Sequence, residues 1–171
     1  MYKPDYKKAE QVAANLLENF NIEEPIVPVE EIAQREGVTI KYFKPNHDDN
    51  LNKVSGFYDP NTKTIYVNFD DSPSRRMFTI AHELGHMELK HKPSEFDVLY
   101  RFATPIDKDP LEQEANCFAA NLLVPEKMLT HTMEKYDLNE SDYQILAKMF
   151  GVSNEVMKYR LRWIKTSVTS S

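Results

Sequence analysis

The chain has 171 residues, 41% hydrophobic and 28% charged, with a formal net charge of −6. That length suits one ordinary domain with a small helical appendage, and the composition excludes a disordered chain. The negative balance gives no global pull toward nucleic acid or an anionic membrane. No apolar run approaches the roughly 20 residues that a membrane span needs, and the start MYKPDYKKAE leads into an amphipathic pattern rather than an export signal. A single cysteine, Cys117, rules out an internal disulfide and a Cys-based zinc cluster, so a cytoplasmic setting is expected.

After Pro4 and Asp5, the spacing of Val12, Leu16, Leu17 and Phe20 predicts a helix over 5–20. A shorter helix is expected after Pro28, with Ile32 and Ala33 inward, ending at Gly37, a residue suited to the left-handed position. The period then changes. Residues 38–43, 55–59 and 64–69 are short, β-branched and aromatic, divided by the turns KPNHDDN and DPNTK, which predicts a small, mostly antiparallel sheet with a hairpin at 59–63.

Ser72 and Pro73 give a start signal for a helix running to about residue 90, and Asp109 and Pro110 repeat it for a helix ended by Pro125. Between them lies a loop containing Pro93 and Pro105. Two further helices are expected at 141–150 and 153–165, before a frayed polar tail.

The first of the two Pro-started helices carries FTIAHELGHMEL. Residues four apart share a helix face, so His82 and His86 can offer two imidazoles to one ion. Glu83 lies about 60° around the helix from His86, skewed for ligation but placed to exchange protons with a water at the metal. Apolar neighbours Phe78, Ile80, Ala81, Leu84 and Leu89 imply a half-buried helix, where unpartnered imidazoles are costly. Gly85, a poor helix former, predicts that another backbone comes close.

One class of zinc protease continues as HExxHxxGxxH. Leu89 and Lys92 occupy its glycine and third-histidine positions here, which excludes it; His91 is one residue short and is expected to cap the helix end or face water. A carboxylate from LEQEANCFAANLLVP is the other solution. Glu112 shares a face with Asn116, Ala119 and Leu123, whereas Glu114 turns to a more polar side, so Glu112 is the choice. Asn116 is then placed to orient a ligand histidine, and Ala115, Ala119 and Ala120 let the two helices approach.

LAKMFGVSNEVMKYRLRWI has helix-turn-helix spacing, with Leu146, Ala147 and Phe150 on one edge, Gly151 at the turn, and Val156, Tyr159 and Leu161 beyond. Residues 146–165 carry Lys148, Lys158, Arg160, Arg162 and Lys165 against Glu155, a local +4 that leaves −10 on the rest. A DNA-binding regulator is therefore one alternative, opposed by the acidic remainder. The same pattern serves a helical pair packed on a core. A sequestering protein with a structural zinc is another alternative, its partner a repressor if the family resemblance given next is followed, and it is opposed by Glu83, which a closed structural site does not need.

Five segments together resemble the ImmA/IrrE family of metallopeptidases: VEEIAQREGVTI, SGFYDPNTKTIYVN, RMFTIAHELGHMEL, LEQEANCFAANLLVP and LAKMFGVSNEVMKYRL. The resemblance implies an α+β, zincin-like core over 1–138, with the mostly antiparallel sheet packed by helices, and a helix-turn-helix-like segment over 139–171. It implies zinc held by His82, His86 and Glu112, with Glu83 as catalytic acid/base. It further implies an intracellular endopeptidase whose protein substrate is a helix-turn-helix repressor, cut to derepress mobile-element, phage or stress genes. Many members place a histidine four residues after the motif; this chain has Lys90 there and His91 next. For the group that stabilises the oxyanion, Tyr58, Tyr66, His91, Tyr100 and Arg101 are all chemically able.

Overall fold

The structure, a computed structural model, describes residues 3–45, 54–92, 98–100 and 109–169, with backbone alone for 98–100 and 166–169. Most of the turn KPNHDDN, Arg101 and the side chain of Tyr100 lie outside that description. Among the described residues, seven α-helices, a four-stranded sheet and a short 3-10 turn at Glu140–Asp142 are present; the helices and strands in chain order are α1 (Tyr6–Asn19), α2 (Val29–Arg35), β1 (Thr39–Phe43), β2 (Val54–Asp59), β3 (Thr64–Asn68), α3 (Pro73–Glu88), β4 (Val98–Tyr100), α4 (Pro110–Leu123), α5 (Glu126–Tyr136), α6 (Tyr143–Phe150) and α7 (Asn154–Thr169).

The sheet order is β1-β3-β2-β4. The β2–β3 hairpin and the β2–β4 pair are antiparallel, as the alternation and the turn signal imply, while β1 runs parallel to β3. Strand β4 was not expected. Three residues between two prolines are too few to show a period of two.

Ile65 and Val67 of β3 are buried on the face that meets α3, and Tyr58 of β2 lies opposite Ile65 in the register. Gly56 pairs with Val67, and a Cβ there would overlap both the Tyr66 carbonyl and the Thr79 methyl of α3. The helix that carries the histidines therefore sits directly on the sheet. Phe57 and Tyr66 stack on the opposite face, with centroids 4.8 Å apart.

The helix ends follow their chemistry. Ser72 and Asp109 cap α3 and α4 by accepting from Arg75 N–H (3.3 Å) and Leu111 N–H (2.9 Å), with Pro73 and Pro110 just inside. Gly37 and Gly151 take positive φ, +81° and +67°, where α2 and α6 stop. Helix α5 was not expected: Pro125, read as a terminator of α4, also stands at the N-cap of α5, which buries Met128, Leu129 and Thr132. Helix α7 continues to Thr169, past the expected end at 165.

One apolar cluster joins these elements. It includes Ala13 and Leu17 of α1, Ile80 and Leu84 of α3, Phe118 and Leu122 of α4, Phe150 of α6, and Met157 and Leu161 of α7.

Candidate metal centre

Helices α3 and α4 pack against each other through the small residues of both. Ala81, Ala115 and Ala119 are wholly buried, and a Cβ on Gly85 would lie 2.8 Å from Phe118 Cδ1. The close neighbour of Gly85 is thus an aromatic ring of α4 rather than the backbone the sequence suggested. This approach brings the first turn of α4 against the middle of α3.

Three side chains converge there. His82 Nε2 and His86 Nε2 are 3.0 Å apart, Glu112 Oε2 is 3.2 Å from the first and Glu112 Oε1 is 3.1 Å from the second. Bonds of about 2.0–2.1 Å at tetrahedral angles put neighbouring zinc ligands roughly 3.3–3.4 Å apart, so the three atoms need open by only a few tenths of an ångström to surround an ion. These three residues form a group of metal-capable side chains among the described residues. Glu83, adjacent on α3, is 2% exposed.

Hydrogen bonding decides what those atoms can do. His82 Nδ1 is 2.9 Å from Asn116 Oδ1, so Nδ1–H donates and Nε2 keeps its lone pair. His91 Nε2 is 2.9 Å from Glu114 Oε2, and a carboxylate only accepts, so His91 donates there. A neutral His91 then offers the lone pair of Nδ1 to His86 Nδ1–H, 2.9 Å away, which leaves His86 Nε2 with a lone pair as well. Burial, the largest effect, pulls His82 and His91 below the ordinary histidine value even though carboxylate partners push the other way, so both are neutral near pH 7. Two imidazole lone pairs and a carboxylate facing one another at about 3 Å are mutually repulsive until a cation lies between them. The donor set fits a divalent metal ion.

Two sequence expectations change. Glu114 is not on a polar side: its side chain is 1% exposed, against 21% for Glu112, so inwardness alone would have selected the wrong carboxylate for contact with the histidines. His91 neither caps the helix with its side chain nor faces water; it is 5% exposed and bridges His86 to Glu114. The position of His91 just after Lys90, whose φ of +58° turns the chain back over the last turn, puts it there, and no residue of the sequence signals that turn.

Among the oxyanion candidates, Tyr66 lies on the sheet face away from α3, while Tyr58 is on the near face. His91 is committed to its two partners. The charge argument for α7 also weakens. Arg160 is 1% exposed and donates from Nε to the Val124 carbonyl at 3.0 Å, and Lys165 pairs with Glu140 at 3.3 Å.

Residues 25–162 match the Peptidase_M78 family model, the IrrE N-terminal-like domain. The chain is 31% identical over 118 residues to the metallopeptidase ImmA of Bacillus subtilis, covering 68% of each protein. It is 31% identical over 129 residues to the radiation response metalloprotease IrrE of Deinococcus radiodurans, covering 73% of this chain and 37% of that one. Immunity region protein 2 of Bacillus phage phi105 is 32% identical over 106 residues, 61% of this chain and 63% of the phage protein. A solved Mycobacterium tuberculosis transcriptional regulator shares the fold, with a TM-score of 0.64 at 21% identity over 90% of this chain and 46% of that one.

Proposed function

We propose, from the premise that this chain belongs to the ImmA/IrrE family of metallopeptidases, that it is a zinc endopeptidase acting on one specific protein, a helix-turn-helix transcriptional repressor. The observation that carries the reading is the meeting of His82 Nε2, His86 Nε2 and the Glu112 carboxylate at 3.0 to 3.2 Å from one another. Relatives named for a phage immunity region and for a radiation response support a substrate in the control of mobile-element, phage or stress genes. A cytoplasmic site of action agrees with such a substrate, and no described helix is long and apolar enough to cross a membrane.

In this reading His82, His86 and Glu112 hold the ion, and Asn116 keeps His82 in its ligand tautomer. A bound zinc supplies Lewis acidity toward water and toward the scissile carbonyl. Glu83 takes the proton of the attacking water and delivers it to the leaving peptide nitrogen, so one carboxylate serves as base and then as acid. Its burial beside His82 keeps bulk water from competing for that proton.

The test incubates the purified protein and zinc with helix-turn-helix repressors encoded beside its gene. A single new fragment is expected, abolished by chelator. Glu83→Gln should keep one equivalent of zinc yet lose about 10²- to 10⁴-fold in cleavage rate. His82→Ala and Glu112→Ala should lose both metal and cleavage. Normal cleavage by Glu83→Gln would sink the mechanism.

A further inference from the structure

The end of α3 is unusual for what stands there. His91 N–H donates to His86 C=O at 3.0 Å and Lys90 N–H to Met87 C=O at 3.0 Å, with Lys90 at φ +58°. This is the same helix stop that α2 and α6 build with Gly37 and Gly151. A lysine there costs on the order of 1 kcal/mol in backbone conformation. What the turn achieves is to lay the His91 imidazole back against His86. Glu114, two residues beyond Glu112 on α4, receives His91 Nε2–H on Oε2 and the Asp5 backbone N–H on Oε1 at 2.7 Å. Asp5 caps α1 and precedes the residues that match the family model.

We propose that His91 and Glu114 are positioning residues for the metal, a carboxylate–histidine relay that sets the tautomer of His86 and ties the start of α1 to the centre. The inference rests on the metal-centre reading above. Glu114 can only accept, so Asp5 N–H and His91 Nε2–H both donate to it, and His86 Nδ1–H donates to His91, away from the ion. Reversing the link between His91 and His86 would put the proton of a neutral His86 on Nε2, where the ion must bind. Outer partners of this kind are typically worth 10- to 100-fold in metal affinity.

The measurement that needs no variant is histidine ¹⁵N NMR on the zinc-loaded wild-type protein, which reads the tautomers directly. His86 should carry its proton on Nδ1 and His91 on Nε2; a proton on His91 Nδ1 would overturn the proposal. Metal affinity, by zinc competition with a chromophoric chelator, adds a second arm. His91→Phe removes the acceptor and should weaken binding 10- to 100-fold. His91→Asn, whose Oδ1 replaces Nδ1 as acceptor, should recover most of that loss, and the cobalt absorption spectrum should follow the same order. Glu114→Gln should also weaken binding, because one amide cannot accept from both Asp5 and His91. Wild-type affinity and an unchanged cobalt spectrum in His91→Phe would refute the relay. Failure of the wild type to take up one equivalent of metal would instead refute the metal centre itself, so the two failures are distinct. Should His91→Phe not fold, the wild-type tautomers still decide.

Discussion

At the scale of single residues, a group's surroundings matter more than its type. Cys117, on the metal-bearing α4, is wholly buried, and desolvation, the largest effect, pushes its thiol up to about 12. The thiol is therefore protonated and inert near neutrality. A colorimetric disulfide reagent at pH 8 should leave it untouched in the native protein and modify it fully in denaturant. Because the folded value lies above the unfolded one, this group's contribution to stability is complete below about pH 9. It is lost as pH rises from there toward about 12, since the unfolded chain gives up its proton first. Urea unfolding across that window should show a shallower decline for Cys117→Ala than for the wild type. The same dependence on surroundings limits what sequence reveals about the site. The His82/His86 spacing is local and legible, whereas the choice between Glu112 and Glu114 depends on which carboxylate reaches α3, and burial points the other way. His91 was legible as chemistry but not as geometry, because the backward turn at Lys90 has no glycine or asparagine to announce it.

At the scale of elements, the junction of α3 and α4 rests on one missing methyl. Adding it, as Gly85→Ala, sets a carbon 2.8 Å from Phe118 Cδ1 and 3.2 Å from Cγ, in a ring with no exposed surface and little room to withdraw. Overpacking of this kind costs about 1–3 kcal/mol, against about 1 kcal/mol gained in helix propensity. A net loss of up to about 2 kcal/mol is expected in urea unfolding. Trimming the partner in the double variant with Phe118→Leu should recover part of it; equal losses with and without that trimming would place the strain elsewhere. Elements with strong end signals, such as α3 and α4 with their capping residue and proline, were readable to within a residue or two. Helix α5 was hidden because Pro125 ends one helix and begins another, and β4 because three residues make no pattern.

At the scale of the molecule, the C-terminal helices do not stand apart from the rest. Met157 and Leu161 share the apolar cluster with α1, α3 and α4, Arg160 reaches the C-cap carbonyl of α4, and Trp163 Nε1 donates to Glu10 of α1. The 1–138 portion is consequently not expected to fold alone. Removing residues 139–171 should abolish the cooperative thermal transition and metal uptake together, while the full chain melts once; an unchanged transition in the shortened chain would show two independent units. These contacts also withdraw Arg160 from the basic surface that a DNA-reading helix would present, so binding to duplex DNA at low salt should be absent or weak for the full chain.

Helix α4 is held at both ends, by the Asp5 N–H at Glu114 and by Arg160 at Val124, and α1 is joined to α7 across it. In the language of hydrogen exchange, such a helix has no end from which to fray. Amides in the middle of α4 are expected to exchange only when the whole molecule opens, which hydrogen exchange followed by mass spectrometry or NMR would show. Edge strand β1 and the exposed flank of α5 are expected to exchange first, so the helix that presents Glu112 should be among the last elements to open.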